Sequence, residues 1–91
     1  MTREEIFAVV KTNIEKIVEG AEGQPIQETL SMRDMGADSL EIVEVVSRSM
    51  KDLKLRIPRT ELSTAQNLKD LIDLFEKAAA QQAAGQAAGG R

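Results

Sequence analysis

The string Gly36-Ala37-Asp38-Ser39-Leu40 sets a hydroxyl at the start of an amphipathic helical pattern, in a chain without histidine, cysteine or tryptophan. A serine acts as an acyl-transfer nucleophile only when a base takes its proton, and histidine is the usual base. The next lysines along, Lys51 and Lys54, fall at the far end of the same pattern. No Gly-x-Ser-x-Gly elbow holds the hydroxyl in a strained turn. Glu41 and Glu44 lie on what reads as a solvated helix face, without an acid–base partner. The chain therefore does not read as an enzyme. Attachment of a group to Ser39 is the chemistry left. A helix start offers free backbone N–H groups and the positive end of the helix dipole. A phosphate there gains roughly 0.3–1 kcal/mol at an exposed site. The plainer reading makes Asp38 a cap, Ser39 an ordinary first-turn residue and Leu40 a core residue.

Composition narrows the field further. The 91 residues fit one small domain with a modest core. Phe7 and Phe75 are its two aromatic residues, so the core must be aliphatic. The net charge of −3 and pI near 4.9 argue against nucleic acid and against anionic membrane as partners. Without cysteine there is no disulfide or thiolate site, and without histidine a zinc or iron site has few ligands to draw on. No metal is expected. The N-terminus lacks the apolar segment of a signal peptide. A monomeric, cytoplasmic protein is the default expectation.

The elements that must position Ser39 follow from periodicity. Ile6, Val9, Val10, Asn13, Ile14, Ile17 and Val18 recur at helical spacing, and Thr2 with Glu5 forms a capping box, which predicts a helix over 3–19. Residues 20–37, with three glycines and Pro25, read as a long loop pinned by Ile26, Leu30, Met32 and Met35. Loops of that length are usually functional or disordered. Asp38 reads as the N-cap of a second helix over 39–53, with Glu41 completing the box. Its buried stripe is expected at Leu40, Val43, Val46, Met50 and Leu53, with Ser47 as a polar interruption. Ile57-Pro58 is extended. A short turn over 59–63 follows, then a last helix capped by Thr64, with Leu68, Leu71, Ile72 and Phe75 inside. The sum is an all-α, small four-helix bundle: three main helices, one short helix and a long first loop. Residues 1–78 form the domain. Residues 79–91, rich in Ala, Gln and Gly, read as a flexible tail in which the alanines prolong the helix by a turn or two and the chain beyond Gly85 is disordered.

With these elements in place, the run from Leu30 to Glu41 resembles the prosthetic-group attachment region of acyl carrier proteins, whose Leu-Gly-x-Asp-Ser-Leu pattern opens the second helix. Met35-Gly36-Ala37-Asp38-Ser39-Leu40 matches it with methionine for leucine, and Ile57-Pro58 and 62–71 match later parts of that family. The resemblance implies that a phosphopantetheinyl transferase moves 4′-phosphopantetheine from CoA to Ser39. The arm's thiol then carries acyl groups as thioesters, so a chain without cysteine imports its thiol. Asp38 could help hold the Mg²⁺ that accompanies the CoA donor, and Leu40 flanks the attachment point. The resemblance assigns partner recognition to Asp34, Met35, Asp38, Leu40, Glu41 and Glu44, and Arg48 is added as a basic member of that surface. Val43, Val46, Ile57, Leu62 and Leu68 are candidates for lining an acyl cleft. The family's fatty-acid carriers are acidic through the second helix. Here Arg48, Lys51, Lys54, Arg56 and Arg59 follow Glu44, a mixture closer to polyketide-synthase carriers. The expected partners are acyltransferases, ketosynthases or HMG-synthase-like enzymes of a polyketide pathway, with a free-standing donor role in β-branching as the finer expectation. The alternatives are a carrier for primary fatty acid synthesis, a peptidyl carrier, which Asp38 weighs against, and a helical protein-interaction module without a prosthetic group.

Overall fold

Four α-helices follow one another: α1 over Arg3–Ile17, α2 over Ser39–Leu53, α3 over Arg59–Leu62 and α4 over Leu68–Gly89. The computed structural model describes the chain from Thr2 to Gly89, with side chains described as far as Gln82. No strand occurs among the described residues, and the order of long, long, short and long helices is the one the periodicity predicts.

The α1 capping box forms as expected. Glu5 N–H donates to Thr2 Oγ1 at 3.2 Å, and Thr2 N–H donates to Glu5 Oε1 at 2.9 Å. The helix stops two residues short of the expected end, where Val18 turns extended and its N–H reaches the Ile14 carbonyl at 2.8 Å. Ile6, Val10, Ile14 and Val18 are buried, with Val9 and Ile17 half-covered at the rim. Full burial of such side chains contributes about 1.5–3 kcal/mol each.

One polar group sits in this apolar face. Asn13 is 2% exposed, and its Nδ2 donates to the buried Ser49 hydroxyl at 3.0 Å and to Asp52 Oδ2 at 3.1 Å on α2. A buried amide without such partners costs about 1–3 kcal/mol. The pair therefore fixes the register in which α1 lies on α2.

The long loop is held by Ala21, Ile26, Met32, Met35 and Ala37, all buried. Leu30 is only half-buried, and its contribution is its carbonyl. Leu30 C=O accepts the Leu68 N–H at 2.9 Å, and Glu28 C=O accepts the Lys69 N–H at 2.7 Å. Loop backbone thus satisfies amides that the first turn of α4 cannot satisfy itself. Arg3 braces the same corner, pairing with Glu28 at 2.5 Å, Asp73 at 2.6 Å and Glu76 at 3.1 Å. Its guanidinium, by hydrogen bonding, holds the Asp73 carboxyl below the ordinary carboxylate value.

Two expectations about α4 are corrected. Thr64 is not its cap: the Thr64 hydroxyl donates to the Glu61 carbonyl at 2.7 Å and closes α3. Asn67 takes that place, its Oδ1 accepting the Asp70 N–H at 2.9 Å. At the other end α4 continues to Gly89, further than the turn or two of helix expected past 78 and into the segment beyond Gly85 expected to be disordered, while residues 90 and 91 of that tail lie outside the described residues. Ala and Gln are strong helix formers, and packing persists into the segment expected to be tail. Gln82 Nε2 donates to the Arg56 carbonyl at 2.7 Å while its Oε1 accepts the Arg56 N–H at 3.2 Å. Ile6, Val10, Ile14, Val45, Leu68, Ile72 and Phe75, all near zero exposure, form the centre of the core.

Candidate attachment site

The geometry at Ser39 is built from the turn before it. Met35 N–H and Ala37 N–H both donate to the Met32 carbonyl, at 3.1 and 3.0 Å, and Gly36 N–H donates to the Arg33 carbonyl at 3.0 Å. Gly36 has φ +94°, in the left-handed region where a side chain is strained, so glycine is the residue this turn needs. Asp34 ties the turn's entrance. Its N–H donates to Ser31 Oγ at 3.1 Å, and its Oδ2 accepts the Ser31 N–H at 3.1 Å. Buried Met35 and Ala37 then anchor the chain directly ahead of the helix.

The box at the start of α2 is complete. Glu41 N–H donates to Asp38 Oδ1 at 2.8 Å, and Asp38 N–H donates to Glu41 Oε1 at 3.0 Å. Ser39 is the first helical residue and is exposed. Its amide and that of Leu40 stand at positions with no intrahelical acceptor. An exposed hydroxyl beside free amides at the positive end of a fifteen-residue helix fits a phosphodiester of the kind phosphopantetheine makes.

The α2 stripe differs from the one expected. Leu40 is 82% exposed and Val43 51%, and Ser47 is exposed with them. The buried side is Val45, Val46, Ser49 and Leu53, with Ile42 and Met50 half-covered. Two apolar stripes overlap on this helix, and the Asn13–Ser49 bond selects which one faces α1. Leu40 is thus not a core residue but an apolar side chain displayed next to the attachment candidate.

The remaining site candidates divide. Asp34, Asp38, Glu44 and Arg48 are exposed and Glu41 is half-exposed, so all five are available to a partner, although Asp34, Asp38 and Glu41 also hold local structure. Met35 is 7% exposed, which removes its side chain from any docking surface. The turn folds it inward, in keeping with its expected place among the anchors of the long loop, and the docking role that the resemblance implied for it does not fit that burial.

A cleft of about 240 Å³ opens between the long loop, α2, α3 and the start of α4. Val46, Leu62 and Leu68 line it as expected, joined by Met32, Ile42 and Leu71. Val43 and Ile57 do not: Val43 faces outward, and Ile57 lines a separate hollow beside Pro58 and Gln82. The sequence reading missed the cleft's polar rim of Ser31, Arg33, Ser63, Gln66 and Asn67. Helical periodicity carries no signal for loop residues, which is why they escaped it. Among the described residues no cluster of potential metal ligands occurs, and no helix is long and apolar enough to cross a membrane.

A helical bundle that displays a serine at the N-terminus of its second helix, behind a rigid turn and beside an open cleft, has the architecture of a carrier. Known proteins agree. Residues 13–75 match the family model described as the phosphopantetheine attachment site. The polyketide biosynthesis acyl-carrier-protein AcpK of Bacillus subtilis (strain 168) is 33% identical over 78 residues, which cover 85% of this chain and 95% of that protein. The acyl carrier protein of Thermotoga maritima is 30% identical over 76 residues, covering 84% and 94%. Among solved structures, a chain from the curacin biosynthetic pathway HMG synthase in complex with acetyl donor-ACP superimposes with a TM-score of 0.76 at 37% identity, covering 87% of this chain and 99% of that one. The chain belongs to the acyl carrier proteins of the phosphopantetheine attachment family. Its prosthetic group is 4′-phosphopantetheine, and its role is to carry acyl groups rather than to catalyse.

Proposed function

We propose that Ser39 is the residue that receives 4′-phosphopantetheine, and that the loaded carrier serves polyketide-type biosynthesis as a donor of a short acyl group to an HMG-synthase-like enzyme in β-branching. The observation that carries the attachment assignment is the exposed Ser39 hydroxyl at the capped start of α2, next to a Leu40 side chain that is 82% exposed. In the transfer, Ser39 Oγ bonds to the phosphorus of the CoA arm, the bond to the adenosine-phosphate portion breaks, and the serine proton leaves to solvent. The arm supplies a thiol, which holds the acyl group as a thioester. The protein's own residues position and select. Asp38 and Glu41 hold the helix end open. Leu40 and Val43 present an apolar ridge to partners, flanked by Glu44 and Arg48. Charges there set encounter rate and choice of partner more than affinity.

The pathway assignment draws support from the polyketide name of the Bacillus subtilis relative and from the complex with an HMG synthase in which the structural neighbour was solved. The mixed charge of α2 and the segment after it points the same way.

Incubation with CoA and a broad-specificity phosphopantetheinyl transferase, read by intact mass, tests the attachment. A single addition is expected, and Ser39→Ala should abolish it. No addition, or one that persists in Ser39→Ala, overturns the assignment. The donor role is tested by loading an acetyl group and measuring its transfer to an HMG synthase, compared with an acidic fatty-acid carrier. Equal transfer from both would sink the β-branching reading.

A further inference from the structure

The cleft beside α2 has an uneven chemistry. Its floor is apolar, made by Met32, Ile42, Val46, Leu62, Leu68 and Leu71. Its rim has hydrogen-bond donors to spare. Ser31 Oγ already accepts the Asp34 N–H, which leaves its O–H to donate. Asn67 Oδ1 already accepts the Asp70 N–H, which leaves its NH₂ group. Gln66 adds a second amide. Arg33 is the one charged residue of the lining, and it takes part in no salt bridge among the described residues. No carboxylate lines the cleft. An unpaired guanidinium among neutral donors, over an apolar floor, is complementary to a short carbon chain that ends in an anion.

Size and reach agree. At about 240 Å³ the cleft is smaller than the roughly 300–1,000 Å³ of pockets that enclose drug-sized molecules, so it suits a short group. Ile42 and Val46 lie one and two turns along α2 from Ser39, about 5 and 10 Å in axial rise, so an arm at Ser39 that folds back along the bundle can bring its cargo to the cleft.

We infer that this cleft binds the carboxylate-bearing end of a short acyl cargo, with Arg33 as the residue that recognises the anion. The inference rests on the carrier reading with the arm on Ser39. Arg33 would then hold carboxylated cargo against the bundle until a partner displaces it, while a neutral acyl group of the same length stays in solvent. Sequestration becomes selective by charge.

The test uses the full chain, with loading confirmed by intact mass, so that failure of attachment is seen separately from failure of the cleft. The arm is loaded with malonyl, or with acetoacetyl, its neutral isostere. Amide shifts of Ile42, Leu62 and Leu68, and the Arg33 Nε–H shift, are read by NMR against the protein with the bare arm. Malonyl is expected to move these signals more than acetoacetyl does. Arg33→Gln should abolish the excess, and Arg33→Lys should retain part of it. Arg33 is exposed, so both variants should keep the fold, which a thermal melt checks. Equal shifts from the two cargoes overturn the proposal, as does an excess that survives Arg33→Gln. An Arg33 signal that moves fully on attachment of the bare arm also overturns it, because the anion is then the arm's phosphate.

Discussion

Asp38 holds the start of α2 and also stands beside the serine proposed for attachment, and two substitutions separate these roles. Asp38→Ala removes the Oδ1 that accepts the Glu41 N–H at 2.8 Å. The return bond, Asp38 N–H to Glu41 Oε1 at 3.0 Å, uses backbone and can survive. Asp38 is exposed, so the freed Glu41 amide meets water, and the loss falls near the middle of the N-cap range, about 1 kcal/mol. The lost carboxylate at the positive helix end adds about 0.3–1 kcal/mol. Asp38→Asn keeps an equivalent cap and loses only that second part. A domain of this size loses about 4–8 °C of melting midpoint per kcal/mol. Melts followed by far-UV circular dichroism should therefore put the Ala variant well below the Asn variant. Transferase kinetics read the other role. The capping bond uses Oδ1 alone, so the remaining oxygen is available to the Mg²⁺ of the CoA donor. Asp38→Asn should then slow loading of Ser39 as much as Asp38→Ala does. Equal melting midpoints for wild type and Asp38→Ala would refute the capping argument. An unchanged loading rate and Mg²⁺ dependence in both variants would refute the metal role.

Other substitutions probe the rest of the molecule. Leu40→Ala, at a side chain 82% exposed, should change stability by no more than about 0.5 kcal/mol yet slow acyl transfer to a partner enzyme; an unchanged transfer rate removes Leu40 from the docking surface. Asn13→Ala leaves the buried Ser49 hydroxyl without its donor and should cost about 1–3 kcal/mol in urea unfolding, with a double-mutant cycle against Ser49→Ala showing non-additivity. The Asp73 carboxyl is held below its ordinary value of 3.8 by Arg3, so its stabilisation is complete above that pH and is lost as pH falls further; Arg3→Gln should flatten the acid limb of a plot of melting midpoint against pH. Lys54 ends α2 with φ +58°, and Lys54→Gly should relieve roughly 1 kcal/mol of strain, partly offset by the entropy glycine gains in the unfolded chain; a lower melting midpoint would contradict this.

The helix order, both capping boxes and the exposed serine were legible because each rests on short-range spacing. Thr2 with Glu5, and Asp38 with Glu41, are decided within one turn. What periodicity could not decide was which of two apolar stripes on α2 turns inward. Leu40 and Val43 on one side and Ile42, Val45 and Ser49 on the other fit helical spacing almost equally, with Val46 buried between them. The choice depends on Asn13, 36 residues away from Ser49, and a lone buried polar pair has no signature in one sequence. Met35 was legible as a core anchor of the long loop, while Asn67 was passed over as the cap of α4, because turn residues have no period and its capping follows from where the long loop docks. The cleft's rim was hidden in the same way. The continuation of α4 was misjudged through composition: alanine-rich sequence reads as low complexity, while the Gln82 amide binds the Arg56 backbone on both sides.

The loop carbonyls of Glu28 and Leu30 that receive the first amides of α4 have a consequence for how this domain can change. The start of one helix is completed by chain about forty residues earlier. An inserted or deleted residue between Glu28 and Met35 would shift those acceptors and the Ser39 turn together, so length variation there disturbs two sites at once. Residues 20–25, which are exposed apart from Ala21, carry no such obligation to α4. A relative that lengthens or shortens its first connection should do so there, and a tag or fluorophore placed there should leave the far end of the loop in register.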